Sequence, residues 1–398
     1  MTMLVFGDVA ADMGDTEWFG FSSYDSGSDD YVIVYLSDTE VVLRDPVLFS
    51  TVRYTGVFDT SSEAAILASP LNAVEWRDGS GGLLFEFSQL GITIAQALES
   101  EEDPDAIAQV MAGPDQISGG AGHDVLRGYA GDDIVSGGGG NDTMDGGAGL
   151  DIAAWSGSAA GHRLSYGTGA WGVTDLSGAE GADVVWGFER LQFQDRTVIV
   201  EQQAHGSWDD LPLDLWHFFI VAFDAAPGVT YMEQLAEASR FGMSVKEIVD
   251  VFTTKPQFTE VYPASLDHQA LAEAMVANIV KDSADASAKL EAVGDIRGSL
   301  DAGWTVGDVV YTVFGNLAHK PIDDPQWGRT AIQFEHQVNV ARYYTEVLSQ
   351  STTDLPTLRA AIDAVMPDSD VSGDGALVAL IGQGLLGYDL ADSSVSLN

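Results

Sequence analysis

Hydrophobic residues change their spacing along the chain, and each spacing predicts a different kind of structure. Over residues 1–98, β-branched and aromatic residues form short runs separated by turns rich in Gly, Asp and Ser, which is typical of strands. The predicted strands are residues 32–36, 40–44, 52–58, 73–77 and 83–87. From Leu211 onward, apolar residues recur at steps of three and four residues, as on one face of a helix. The pattern therefore predicts a β-rich first part and an all-α last part.

A nine-residue repeat separates these two parts. From Gly119 the units read GGAGHDVLR, GYAGDDIVS, GGGGNDTMD and GGAGLDIAA, and a partial copy precedes them. Each unit has glycine at its fourth position, aspartate at its sixth and an apolar residue at its eighth. Glycine permits a tight turn, and a single inward apolar residue suits a very short strand, so the repeat predicts a parallel β-roll. A flexible Gly- and Asp-rich linker has no reason to keep an apolar residue at every eighth position.

The repeat also predicts a metal. Two units form one coil, so aspartates 18 residues apart stack: Asp115 with Asp133, Asp124 with Asp142, and Asp133 with Asp151. Carboxylates surrounded by backbone carbonyls form an all-oxygen cage that suits Ca²⁺. Three stacked pairs predict about three calcium ions. The predicted metal-binding residues are Gly113, Asp115, Gly120, Gly122, Asp124, Gly131, Asp133, Gly138, Gly140, Asp142, Gly149 and Asp151.

These repeats resemble the RTX (repeats-in-toxin) family of secreted proteins, over about a tenth of the 398 residues. The resemblance implies calcium as the cofactor, an extracellular or cell-surface location, and type I secretion of an unfolded chain that folds on meeting external calcium. It also implies a C-terminal secretion signal, which we expect in the tail that ends with residues 388–398. Two departures matter: Tyr129 replaces a glycine and predicts a weaker turn, and the small Ala153 predicts that the roll ends there.

The segments on either side of the roll have their own patterns. Strands are predicted at residues 171–175, 184–188 and 197–200, and they would cap the open end of the roll. Residues 181–195, GADVVWGFERLQFQD, resemble the sequence that closes RTX arrays. We interpret Asp183 in this segment as structural, with ligation of a further ion as the alternative.

A duplication marks the helical part. GMSVKEIVDV at 242–251 and GWTVGDVVYT at 303–312 are offset by 61 residues. In both, a glycine ends one helix and Ser244 or Thr305 begins the next, with Glu247 or Asp308 three residues later, as in a capping box. This part resembles a helical domain of unknown function that often follows RTX arrays.

The fold class is therefore α+β and multidomain. The predicted domains are a β-rich N-terminal domain at 1–111, the RTX β-roll at 112–154, a β cap at 155–205, a helical domain at 206–366 and a C-terminal tail with the secretion signal at 367–398.

The charge of the chain restricts its partners. Sixty-one acidic residues against 17 Lys and Arg give a net charge of −44, which disfavours nucleic acid and anionic membrane surfaces. There is no cysteine, so calcium takes the place of disulfides as an extracellular staple. No apolar run is long enough for a membrane span, and the N-terminus lacks the pattern of a classical signal peptide.

Catalytic motifs are missing from the sequence. It contains neither the HExxH motif of zinc proteases nor the GxSxG elbow of serine hydrolases. A glycosidase that uses two carboxylates is an alternative that the sequence does not exclude, because the chain has 61 acidic residues. We therefore predict a non-enzymatic, type I secreted, calcium-binding structural protein of the cell surface or extracellular matrix that acts in self-assembly or adhesion. Its expected partners are calcium, further copies of the chain in a homo-oligomer or array, and cell-surface polysaccharide. The alternatives are a glycan-binding adhesin and a polysaccharide hydrolase.

Three further features of the sequence are less specific indicators of a binding site. An acidic loop with Asp368, Asp370 and Asp374 matches half of an EF-hand, with a solvated turn as the alternative. The exposure of Trp155, Trp171, Trp186 and Trp304 should separate core residues from a sugar-binding platform. None of the seven histidines lies in a metal-binding motif.

Overall fold

The structure is a computed structural model that describes residues 3–6, 32–36, 40–44, 51–57, 68, 70–77, 83–93 and 106–387. The chain divides into two compact units, Met1–Val198 and Ile199–Asn398. Of the tail at 367–398 that is predicted to hold the secretion signal, residues 388–398 lie outside the described residues. Among the described residues, no helix is both long enough and apolar enough to cross a membrane.

The first unit begins with an antiparallel sheet. Its strands are β1 (Met3–Phe6), β2 (Val32–Leu36), β3 (Glu40–Arg44), β4 (Thr51–Gly56), β5 (Pro70–Arg77) and β6 (Leu83–Thr93), in the order β2-β3-β4-β5-β6-β1. Tyr54, Leu71 and Val74 form part of its core. All five predicted strands are present, although β4 ends at Gly56 rather than at residue 58 and β6 continues six residues beyond its predicted end at residue 87, and β1 was not predicted.

The repeats form a parallel β-roll that continues this sheet. After α1 (Ala106–Val110), the repeat strands are β7 (Gln116–Ser118), β8 (Val125–Arg127), β9 (Ile134–Ser136), β10 (Thr143–Asp145) and β11 (Ile152–Ala154). β1 pairs with β7, then β9 and β11 follow in the same sheet, while β8 and β10 lie in a second sheet. The eighth residue of every unit points between the two sheets and is fully buried: Ile117, Leu126, Val135, Met144 and Ala153. The α+β fold with a β-roll is therefore confirmed.

The roll does not end at Ala153, so that prediction is wrong. A 3₁₀ turn (Ala159–Gly161) and the hairpin β12 (His162–Gly167) and β13 (Ala170–Asp175) interrupt it, and β14 (Ala182–Trp186), β15 (Arg190–Gln192) and β16 (Thr197–Ile199) follow. β14 pairs in parallel with β10, and β15 with β11. Val185 and Leu191 extend the buried column. The hairpin insertion hides this continuation in the sequence because it breaks the nine-residue spacing.

Replacement of Leu126 by alanine should destabilise the roll by about 2–5 kcal/mol, because Leu126 is fully buried between the sheets. The matched change is Leu150→Ala, at a residue that is 54% exposed in a turn of the same roll. We expect that change to stay within about 0.5 kcal/mol of the parent protein. Thermal unfolding in calcium measures the loss of stability in each variant. Equal losses in Leu126→Ala and Leu150→Ala would contradict the burial of the eighth position.

The second unit is helical. Its helices are α2 (Asp214–Phe223), α3 (Gly228–Arg240), α4 (Val245–Phe252), α5 (Pro256–Val261), α6 (His268–Val280), α7 (Ala286–Asp301), α8 (Val306–Ala318), α9 (Gly328–Arg342), α10 (Leu355–Asp363) and α11 (Asp374–Leu386). Every residue of α2 after Asp214 is buried, so this helix forms the centre of the unit. α9 ends as an α-helix at Arg342, and the chain continues as a π-helical turn, Tyr343–Val347.

The structure confirms both helix starts that the duplication predicts. Ser244 and Thr305 each accept a hydrogen bond from the third backbone N–H of their helix, and the Glu247 and Asp308 side chains complete the two capping boxes. Nζ of Lys246 lies 2.9 Å from the Asp308 carboxylate, so an ion pair joins the first copy to the second.

Candidate metal centre

The aspartates of the repeats form two ladders along the roll. The backbone N–H of Asp115 donates to Oδ1 of Asp133 at 2.8 Å, and that of Asp133 donates to Oδ1 of Asp151 at 2.9 Å. On the other side of the roll, the N–H of Asp124 donates to Oδ1 of Asp142 at 2.9 Å. The structure thus brings together the three pairs that the 18-residue spacing predicts, and it buries all five aspartates.

In each stacked pair, the aspartate that comes later in the sequence accepts the ladder hydrogen bond with Oδ1, and its Oδ2 takes no part in the ladder. Oδ2 of Asp133, Asp142 and Asp151 is buried and has no hydrogen-bond partner in the described part of the chain. An ionised oxygen in such a position is strongly destabilising unless a cation or a donor compensates it. These oxygens therefore fit a bound cation.

The first glycine of each turn leaves room beside these oxygens. A Cβ atom at Gly128 would lie 2.5 Å from Oδ2 of Asp133 and would collide with the carbonyl oxygen of Gly146. A Cβ at Gly137 would likewise collide with Oδ2 of Asp142. The space is open because these positions lack side chains, and oxygen atoms surround it.

The fourth glycine of each turn is required for a different reason. Gly131 has a φ of 137°, and a Cβ there would collide with the carbonyl oxygen of Gly113 in the turn below. The same stacking relates the remaining predicted glycines, Gly120 with Gly138, Gly122 with Gly140, and Gly131 with Gly149. Tyr129 has a φ of 69° without being glycine, which agrees with the weaker turn predicted for that unit.

The donor set suits calcium better than a transition metal. Among the described residues, no three His, Cys, Asp or Glu side chains converge on one point. Each predicted site instead offers two carboxylates with backbone carbonyls close by, and Ca²⁺ accepts carbonyl oxygens readily. The assignment of individual aspartates and glycines as ligands stays a prediction.

Burial also changes the protonation of these aspartates. Burial raises the pKa of Asp133 from its ordinary 3.8 to about 7. The hydrogen bond from the Asp115 backbone lowers this pKa, whereas the negative charges of Asp151 and Asp115 raise it further. Burial likewise raises the pKa of Asp142 and of Asp151 to about 6. Without a cation, ionisation of these groups therefore opposes folding.

This shift predicts a pH dependence whose sign depends on calcium. Because the folded-state pKa values are raised, the aspartates stabilise the calcium-free roll below their unfolded value near 4, and that stability is lost as pH rises through 6 to 7. Calcium requires the ionised carboxylates, so we expect its effect on Tm to be large at about pH 8 and small at about pH 5. Thermal unfolding in calcium and in chelator at both pH values measures this. An equal calcium effect at the two pH values would contradict it.

Two acidic residues beyond the repeats continue the ladders. The N–H of Asp142 donates to Oδ1 of Asp183 at 2.9 Å, and that of Asp151 donates to Oε2 of Glu189 at 2.7 Å. The indole Nε1 of Trp155 donates to Oδ2 of Asp183 at 2.7 Å, so both oxygens of Asp183 have protein partners. This geometry favours the structural interpretation of Asp183. Residues 178–183 read GAEGAD, a repeat-like Gly-x-x-Gly-x-Asp signal, whereas no sequence pattern indicated Glu189.

The structure also shows the surroundings of the acidic loop and of the four tryptophans. Asp368 pairs with Arg329 at 2.8 Å and Asp370 accepts from the N–H of Ser372 at 2.9 Å, so the loop is a turn without convergent carboxylates. Trp155 and Trp171 are buried in the core, at 6% and 4% exposure, whereas Trp186 and Trp304 are exposed, at 38% and 45%.

The match to a family model agrees with this geometry. A family model described as RTX calcium-binding nonapeptide repeat (4 copies) matches residues 110–144 and 118–153. No curated protein sequence matches the chain. The extracellular lipase LipA from Serratia marcescens is similar to 24% of this chain at 27% identity, with a TM-score of 0.19, and the match spans 14% of the lipase chain. The chain therefore carries RTX repeats, which bind Ca²⁺.

Proposed function

We propose that this chain, whose roll consists of RTX calcium-binding repeats, is a type I secreted structural protein of the cell surface or extracellular matrix. External calcium would act as its folding switch and promote its self-assembly. The observation that carries the proposal is the pair of buried aspartate ladders, in which Oδ2 of Asp133, Asp142 and Asp151 has no hydrogen-bond partner among the described residues.

The folding switch follows from electrostatics. Without calcium, ionised aspartates stacked along the roll repel one another and are buried at a cost, so the repeats favour an extended chain. An extended chain is the form that a secretion channel accepts. Calcium outside the cell neutralises the ladders and links successive coils, so folding and metal binding occur together.

Self-assembly is supported by the overall charge. At a net charge of −44, copies of the chain repel one another strongly in the absence of divalent cations. Calcium lowers this repulsion both in the roll and at acidic surfaces, so the electrostatic cost of close approach of two copies falls. The proposal assigns the chain no catalytic activity, since it rests on metal binding and assembly alone.

Sedimentation velocity of the refolded chain, titrated from chelator to about 10 mM calcium, tests the proposal. We expect compaction followed by growth into large species. A compact monomer that persists across a wide range of protein concentrations would overturn self-assembly. Equal sedimentation in chelator and in calcium would overturn the folding switch as well.

A further inference from the structure

Two clefts open in the helical unit. The first cleft has a volume of about 600 Å³ and lies between α2, α3, the α4–α5 junction and the start of α10. The second cleft has a volume of about 350 Å³ and lies between α6, α7, α8 and the residue before α9. Both volumes are in the range of pockets that bind small molecules.

The two clefts occupy the same place in the two copies of the duplication. Tyr231, Gln234 and Phe252 line the first cleft. A shift of 61 residues, the offset of the duplicated sequences, converts them into Ala292, Asp295 and Val313. These three residues line the second cleft.

The correspondence extends to the other walls. The same shift takes Phe219 on α2 to Val280 on α6, and Lys255 to Asn316, and each of these residues lines its own cleft. Surface hollows that arise independently have no reason to coincide at position after position. The clefts are therefore one feature that was duplicated together with the helices around it.

Each cleft combines aromatic rings with polar groups. In the first cleft, Phe219, Phe223 and Tyr231 are buried, so the half-buried Phe252 provides the accessible ring. In the second cleft, the rings come from Trp304, which is 45% exposed, and from the half-buried Trp327. The aromatic positions are not conserved between the copies, yet each cleft has a partly exposed ring.

The rims carry charges of both signs. Lys255, Glu260 and Asp354 line the first cleft, and Lys320, Glu291 and Asp295 line the second. A strongly charged ligand would meet a like charge in either cleft. An uncharged ligand with an apolar face for the rings and hydroxyl groups for the exposed Gln234 and Asn316 amides fits both clefts. Sugars have this combination.

We propose that the two clefts are a duplicated binding site for a neutral polysaccharide, with one sugar subsite in each copy of the helical repeat. The inference rests on the proposed extracellular function, which places the chain beside such a polymer. Two subsites on one helical unit bind a repeating polymer more tightly than either binds alone, because the second contact is intramolecular.

Calorimetry of the full chain in calcium tests this inference with defined trisaccharides: cellotriose, chitotriose, maltotriose and laminaritriose, with trigalacturonic acid as the acidic comparison. We expect at least one neutral trisaccharide to bind with two sites per chain. Trp304→Ala should weaken the second site about tenfold, and Phe252→Ala should do the same at the first site. Because Phe252 also packs against Phe218, a second variant is Gln234→Ala, which removes an exposed amide of the first cleft and should likewise weaken the first site.

Phe241→Ala is the matched control. Phe241 is 81% exposed and follows α3, as Trp304 follows α7, but it lines neither cleft. Its removal should leave both sites unchanged. The proposal is overturned if no neutral trisaccharide binds, if trigalacturonic acid binds most tightly, or if the control weakens binding as much as Trp304→Ala. Sedimentation without sugar reports assembly separately, so this inference and the proposed function can fail independently.

Discussion

Removal of calcium should cost the folded first unit about 4 kcal/mol of stability. With a dissociation constant of about 10⁻⁴ M per site, millimolar calcium contributes roughly 1.4 kcal/mol for each of three sites. Stability falls because the buried carboxylate oxygens of the ladders lose the cation that compensates their charge. In a unit of this size, the corresponding fall in Tm is about 8–16 °C.

Thermal unfolding in calcium and in excess chelator measures this effect. Two controls are built into the experiment. Magnesium at the same concentration should restore little stability, because it demands a tighter octahedral geometry than stacked turns provide. The far-UV signal of the helical unit, which contains none of the predicted repeat sites, should melt at nearly the same temperature in both buffers. An unchanged first transition in chelator would show that the roll does not depend on calcium.

Asp133→Asn should remove more calcium than any other single change in the repeats. Asp133 stacks on both Asp115 and Asp151, so it belongs to two of the three predicted sites. Asparagine keeps the size of the side chain and the oxygen that accepts from Asp115, but it removes the charge and replaces Oδ2 with an NH2 group that cannot bind a cation. We expect two fewer ions per chain and a loss of about 3 kcal/mol of calcium-dependent stability.

The neighbouring residue provides the matched control. Asp132 is exposed in the same turn, and its Oδ1 accepts from the N–H of Leu150 at 2.9 Å, a bond that Asp132→Asn retains. That variant should bind as many ions as the parent protein. Asp115→Asn, at the first step of the ladder, should lose one ion. Equilibrium dialysis with calcium counts the ions, and equal losses at positions 132 and 133 would contradict the ladder.

The periodic parts of the fold were predictable because their physics is local. One buried aliphatic residue and one turn per nine residues define a coil, so Leu126 and Val135 were assigned to the core from spacing alone. Helix starts are equally local, since Ser244 with Glu247 and Thr305 with Asp308 satisfy neighbouring backbone groups.

The end of the roll was not predictable in this way. β14 pairs with β10 at an offset of 41 residues, and β15 pairs with β11 at an offset of 38 residues. An inserted hairpin, rather than the nine-residue repeat, sets these offsets. Glu189 therefore reaches the N–H of Asp151 although its own surroundings resemble no repeat unit. Likewise, the hydrogen bond between Trp155 and Asp183 exists only because the chain folds back across this end.

The sequence by itself determined the nine-residue period, the calcium chemistry of the aspartates, the change from strands to helices and the 61-residue duplication. Each of these depends on residues that are close together or regularly spaced. Only the tertiary structure decided where the ladders end, that Trp155 and Trp171 are buried while Trp304 is exposed, and that the two copies of the helical repeat each enclose a cleft. Those features depend on packing between distant segments, and packing leaves no periodic signal in the chain.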